Sequence, residues 1–97
     1  MIEVRQSDEF ASWLRALRDR QAQKRIAQRL VRVQAGLLGD VKPVGEGVSE
    51  MRVQHGPGYR LYFIQSGTTL VILLCGGAKS SQARDIAKAK KMAKEFE

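Results

Sequence analysis

Ninety-seven residues without a long Pro/Gly/Ser-rich stretch fit one compact domain, and 43% hydrophobic residues supply a single modest core. Seventeen Lys and Arg against ten Asp and Glu leave a net charge of +7, a balance that favours a polyanionic partner such as nucleic acid and also serves solubility. One cysteine excludes an internal disulfide, Met1–Arg5 carries no apolar leader, and the longest apolar run, Leu70–Cys75, is six residues, so no membrane partner and a cytoplasmic location are expected.

Ile2 and Val4 alternate with Glu3 and Arg5, the period of a short strand with one buried face. Ser7 ends it and suits the N-cap of a helix in which Phe10, Trp13, Leu14 and Leu17 recur at helical spacing, with Asp8 and Glu9 favouring the dipole. That helix is expected to end between Arg18 and Arg20, where Asp19 can cap a second. There Ala22, Ile26, Leu30 and Val33 form the apolar stripe, Lys24, Arg25, Arg29 and Arg32 fill the remainder, and Gly36 closes the helix. The pair makes an αα-hairpin. Residues 36–47 hold four glycines and one proline in twelve positions and read as a loop.

Beyond that loop the period becomes two. Val48–Gln54, Tyr59–Gln65 and Thr69–Cys75 read as strands joined by turns at Gly56-Pro57-Gly58 and Ser66-Gly67-Thr68, an antiparallel meander. The third is apolar on both faces and belongs inside the sheet, whereas Val48–Gln54 alternates and has one wet face. Ser80 or Ser81 can cap a last helix that buries Ile86, Ala89, Ala93 and Phe96, ringed by Lys88, Lys90, Lys91 and Lys94. The expected class is α+β in the order β-α-α-β-β-β-α: an antiparallel-rich twisted sheet with the helical hairpin on one face and part of the other face open.

On that open face Glu50 and Arg52 share the exposed side of one strand, and Arg60 and Tyr62 share a side of the next. A tight hairpin through Gly56-Pro57-Gly58 brings together a carboxylate, two guanidiniums and a phenol, although ordinary cross-strand charge pairing also accounts for these residues. The segment Gly76-Gly77-Ala78-Lys79-Ser80-Ser81-Gln82 ends the apolar strand and opens a helix, so its backbone N–H groups and Lys79 can meet a phosphate. Its spacing is not that of a Walker A loop. His55, at the hairpin tip, reads as a polar turn residue, with a general-base role as the second reading. Cys75 reads as a core thiol. No His/Cys cluster exists, and Asp40, Glu46, Glu50 and Asp85 are not at ligand spacing, so a site without metal or cofactor is expected.

The combination of Phe10 with Trp13-Leu14, the loop Gly39–Gly45, Val48-Ser49-Glu50-Met51-Arg52, Gly56-Pro57-Gly58-Tyr59-Arg60-Leu61-Tyr62, and Cys75-Gly76-Gly77 through Lys79-Ser80-Ser81-Gln82 to Asp85-Ile86 resembles the addiction-module killer branch of RelE/ParE toxins, close to HigB-like proteins. The resemblance covers nearly the whole chain. It implies the toxin of a toxin–antitoxin pair, a ribosome-dependent endoribonuclease acting on messenger RNA, and a cognate antitoxin with a helix-turn-helix domain. By motif, Arg60 matches the arginine at the scissile phosphate, Arg52 a basic residue on the neighbouring strand, and Lys79 the basic residue after the last strand. Glu50 stands where RelE itself has a lysine, and it is taken here as the base, with Tyr62 or His55 in reserve. RelE's C-terminal tyrosine has no counterpart, since Asp85-Ile86 occupies that region. Tyr62, Gln82, Lys88 and Lys91 are expected to add RNA contacts. Two other functions suit the same fold: a ParE-like gyrase poison and a noncatalytic protein that only binds its antitoxin.

Overall fold

A computed structural model describes residues 1–96, and in it the first two helices begin where free backbone N–H groups find a side-chain acceptor. Strand β1 (Glu3–Gln6) ends at Ser7, whose hydroxyl accepts from the Phe10 N–H at 3.0 Å and starts α1 (Asp8–Ala16). Asp19 does the same for α2 (Arg20–Gln34), accepting from the Gln21 and Ala22 N–H groups at 2.9 and 3.2 Å. Helix α1 stops at Ala16, short of the expected Arg18 to Arg20. Gln23 Nε2 takes up its last carbonyls, those of Leu14 and Leu17 at 2.9 and 3.0 Å, and so clamps the αα-hairpin. At the far end the Leu37 N–H bonds the Arg32 carbonyl and the Gly36 N–H that of Val33, the paired contacts of a Schellman motif.

The loop expected over residues 36–47 contains a strand. β2 (Val41–Gly45) pairs antiparallel with β3 (Val48–Val53) through a two-residue turn in which Glu46 and Gly47 both take positive φ, 54° and 80°. That is the twist a tight hairpin needs at both central positions, supplied here by Glu-Gly in place of the more usual Asn-Gly or Asp-Gly. Pro43 is tolerated because β2 lies at the sheet edge, where a missing N–H costs no ladder bond. β4 (Tyr59–Ser66) and β5 (Leu70–Ala78) follow, then a 3₁₀ turn (Lys79–Ser81), α3 (Gln82–Ala93) and a last 3₁₀ turn (Lys94–Phe96).

The sheet order is β1-β5-β4-β3-β2. The meander expected from the short turns holds from β3 to β5, while β1 pairs parallel with β5 at the other edge. The class is therefore α+β with a five-stranded mixed sheet and three helices, one strand more than the sequence suggested. Helices α1 and α2 cover one face through Phe10, Ala22, Ile26, Leu30 and Val33 against Met51, Leu61, Phe63, Val71 and Leu73. Helix α3 packs Ala89 and Ala93 on the other face, against Val48, Tyr62, Ile72, Leu74 and Cys75. Phe96, expected inside, is exposed. Among the described residues no helix is long and apolar enough to cross a membrane.

β5 is the strand covered on both faces, and its details follow from that. A bulge where the register to β4 steps from Tyr62↔Cys75 to Phe63↔Leu73 leaves Leu74 unopposed, and both Leu74 and Cys75 join the α3 side. Burial among these apolar groups pushes the Cys75 thiol up to about 12. After the bulge come two glycines that the sequence offered as a phosphate cradle. They lie inside the strand, paired with Leu61 and Arg60, and serve packing. A Cβ on Gly76 would fall 2.5 Å from the Trp13 ring, and one on Gly77 would fall 1.9 Å from Asp85 Oδ2. Trp13 on α1 and Asp85 on α3 thus each press onto bare backbone.

Two outcomes follow. Gly76→Ala lowers unfolding free energy by about 1–3 kcal/mol, the cost of overpacking, read as a shifted urea midpoint at constant slope. Native protein at pH 8 leaves Cys75 unmodified by a thiol reagent, and the same reagent reacts fully in urea; rapid modification of the folded chain would contradict the burial assigned to it.

Candidate functional site

The register of β3 and β4 assembles the polar group expected from spacing. Glu50 stands opposite Tyr62 and Arg52 opposite Arg60. All four project to the α3 face, because the residues between them, Met51, Leu61 and Val53, point into the core under α1 and α2. The hairpin itself is closed by the Gly58 N–H donating to the His55 carbonyl at 3.1 Å.

Glu50 does not lie on an exposed side, as the alternation had suggested. It is 0% exposed, because α3 and the preceding turn lie over this part of the sheet. One of its oxygens, Oε1, faces Arg52 Nε at 3.4 Å and Arg60 Nε at 3.7 Å; the other accepts from the Tyr62 hydroxyl at 3.3 Å and from Gln82 Nε2 at 2.7 Å. A buried carboxylate is tolerated only when paired and hydrogen-bonded, and three hydrogen-bond donors together with the Arg60 charge, from three segments, do this here. Tyr62 is also fully buried, and burial, followed by the neighbouring Glu50 and Asp85 charges, holds its phenol protonated well above the usual tyrosine range. A tyrosine so placed offers RNA no surface. Its part is to donate to Glu50.

Above Glu50 opens a cleft of about 480 Å³ lined by Arg52, Gln54, His55, Gly56, Pro57, Gly58, Arg60 and Lys79. Lys79 reaches it because β5 pairs Ala78 with Tyr59, which sets the following residue beside the hairpin; the Lys79 Cβ is 3.7 Å from where a Gly58 Cβ would stand. Arg52 is fixed from behind, since Arg29 of α2 donates to its carbonyl at 2.5 Å and to that of Leu38 at 3.1 Å. Arg29, from the polar side of α2, is thus spent on the backbone. Arg60 is 12% exposed and its buried Nε has no hydrogen-bond partner, being held near Glu50 by charge alone. Three cations over one carboxylate leave the cleft with an excess of positive charge suited to an anion.

Of the residues proposed from sequence, Arg52, Arg60 and Lys79 line the cleft, and Glu50 lies beneath it. Gln82 contacts Glu50 instead of the cleft. Lys88 pairs with Glu9 of α1, so it fastens α3 to α1, and Lys91 is an exposed residue of α3 outside the cleft lining. Ser81 precedes α3 but makes no cap bond: its hydroxyl donates to Asp85 Oδ2 at 2.5 Å. Among the described residues no three His, Cys, Asp or Glu side chains converge. Sequence reasoning missed the contact between His55 Nε2 and Asp19 Oδ2 at 2.9 Å, thirty-six positions apart. Each residue has a complete local explanation, turn and cap, and nothing in the spacing joins them.

Comparison with known proteins identifies relatives of the chain. A family model described as phage derived protein Gp49-like (DUF891) matches residues 12–96. A Haemophilus influenzae strain Rd protein, described as an uncharacterized protein, is 44% identical over 95 residues, 98% of this chain and 96% of its own.

The Glu50 arrangement has a measurable consequence. Glu50→Ala leaves two partly buried guanidiniums without their carboxylate and costs about 3–5 kcal/mol, whereas Tyr62→Phe removes one hydrogen bond to a charged group and costs about 1.5–3 kcal/mol. Urea unfolding of both variants checks the ranking, and equal small losses would show that Glu50 is not the organising group.

Proposed function

The chain belongs to the Gp49-like family of phage-derived proteins (DUF891), a family associated with toxin–antitoxin addiction modules, and we propose that it is the toxin of such a module. The proposed activity is that of a RelE-like, ribosome-dependent endoribonuclease acting on messenger RNA. The observation that carries this reading is the cleft: Arg52, Arg60 and Lys79 line it together, the two arginines are paired with a buried carboxylate, and Arg60 stands in the Tyr59-Arg60 motif through which the chain resembles RelE-like toxins.

The reaction is attack by an RNA 2′-hydroxyl on the adjacent phosphate, giving a 2′,3′-cyclic phosphate and a free 5′-hydroxyl. RNA supplies the nucleophile, so the protein has to neutralise charge growing on the phosphate, remove a proton and assist the leaving oxygen. Fixed guanidiniums suit the first task, because their donors are in place before the charge develops. Arg60 and Arg52 take the non-bridging oxygens, and Lys79, from the opposite rim, takes the leaving oxygen. Glu50 is assigned a positioning part: with no exposed surface it acts through the two arginines.

A family of this kind implies a cognate antitoxin. We assign it a helix-turn-helix domain and a docking site on α1 and α2, where arginines and lysines outnumber acidic residues and suit an acidic partner. Co-expression followed by hydrogen exchange then protects residues 8–34; protection confined to residues 50–60 would place the antitoxin in the cleft instead.

Expression of the chain alone is expected to arrest bacterial growth and to leave transcripts with 2′,3′-cyclic phosphate ends. Arg60→Ala, and equally Arg60→Lys, which keeps the charge but loses the planar fork, relieve the arrest while the protein stays folded. Cleavage persists when every divalent ion other than the magnesium that ribosomes need is removed. A DNA-damage response with intact transcripts would identify a gyrase poison, and intact cells with a tight antitoxin complex would identify a noncatalytic binder.

A further inference from the structure

The ribonuclease reading leaves one task unassigned, removal of the 2′-hydroxyl proton. Glu50 and Tyr62 are fully buried, and both are committed to one another. Among the side chains that line the cleft, the one of a general-base type is His55. We propose that His55 is the general base of the cleft and that Asp19 is the positioning residue that orients its imidazole; the inference rests on the ribonuclease reading above.

His55 is placed by the hairpin, with its N–H on the Val53 carbonyl at 3.0 Å and its own carbonyl closing the turn to Gly58. Its ring is 18% exposed and lies 2.9 Å, through Nε2, from Asp19 Oδ2. The other Asp19 oxygen accepts from the Gln21 and Ala22 N–H groups at the start of α2, so the carboxylate is fixed by a helix end before it meets the imidazole. The His55 contact, and then the Ala22 N–H, hold the Asp19 carboxyl below its usual range, which keeps it charged. A charged Asp19 requires a proton on Nε2, and neutral His55 then has its lone pair on Nδ1. An acid fixing the tautomer of a catalytic imidazole is the logic of a hydrolase triad, here with an RNA hydroxyl as nucleophile.

The charged groups that share the cleft with His55 are Arg52 from β3, Arg60 from β4 and Lys79 from the turn after β5, with Asp19 meeting it from α2. They complete a balanced step. Nδ1 takes the 2′-hydroxyl proton, the 2′-oxygen forms a bond to phosphorus, and the bond from phosphorus to the 5′-oxygen breaks. That oxygen leaves with a proton from Lys79. Imidazolium and amine then return to their starting states by exchange with water, His55 losing one proton and Lys79 gaining one.

The test uses the chain's single histidine, whose ring nitrogens give one unambiguous set of ¹⁵N signals in untagged protein. Wild type is expected in the Nε2–H tautomer, and Asp19→Asn, which keeps the helix cap but not the charge, shifts the tautomer balance. In ribosome-dependent cleavage, His55→Gln lowers the rate by about 100-fold or more, Asp19→Asn loses a large part of the same factor, and both keep the wild-type urea midpoint within the range of a surface change. An Nδ1–H tautomer in wild type, which needs no variant to fold, would overturn the inference. So would His55→Gln cleaving at the wild-type rate while Arg60→Ala is inactive, a result that leaves the ribonuclease reading standing. Wild type that cuts no RNA would remove that reading itself, and the general base with it.

Discussion

The Glu50 carboxylate is the constraint on which the cleft depends. Arg52 and Arg60 are direct cross-strand partners, an arrangement that like charges oppose. A carboxylate two residues from Arg52 on its own strand, and diagonal to Arg60 across the hairpin, converts that repulsion into a shared ion pair. Burial makes the arrangement rigid, because Glu50 has no water to turn to and must hold every donor given to it. Those donors come from β3, β4 and α3, so the same side chain that places the arginines also fixes where α3 begins. Movement of any of the three segments would strand a buried charge, which is far more costly than the loss of an exposed salt bridge.

The rest of the molecule keeps that carboxylate covered. β5 carries helices on both faces, and its bulge at Leu74 turns two consecutive side chains toward α3, widening the apolar contact under that helix. At its end Gly76 and Gly77 let Trp13 and Asp85 approach the backbone from opposite sides. The strand therefore leaves the core at a fixed point, and Lys79, the next residue but one, emerges opposite the hairpin. Packing of apolar groups in this way sets the position of a cation at the cleft.

Much of this was legible in the sequence. Ser7 and Asp19 announced their helices, the stripe Ala22, Ile26, Leu30 and Val33 is the buried face of α2, and the two-residue period after Val48 placed Glu50, Arg52, Arg60 and Tyr62 together. What could not be read has physical causes. β2 was hidden because glycines and a proline argue for a loop unless the proline falls on an edge, and edge position is a property of the sheet. The burial of Glu50 was hidden because alternation says which residues share a face and not what covers that face. Gly76 and Gly77 carry a signal that two kinds of close approach share, a phosphate or a side chain, and here the approaching groups are Trp13 and Asp85.

Helix α2 meets the cleft at two points and lines none of it. Asp19, at its start, holds the His55 ring, and Arg29, in its third turn, holds the carbonyl of Arg52. The two contacts bracket the β3–β4 hairpin, one on its tip and one on its strand. They also differ in kind: the first is partly exposed and depends on charge, and the second is a set of donors to backbone carbonyls that no titration removes. The outer side of the same helix bears Lys24, Arg25 and Arg32, and α2 has no acidic residue to neutralise them. A surface that attracts polyanions or acidic partners is thus built on the element that also sets the geometry of the cleft. Any shift of α2 against the sheet therefore reaches both His55 and Arg52 through bonds already present.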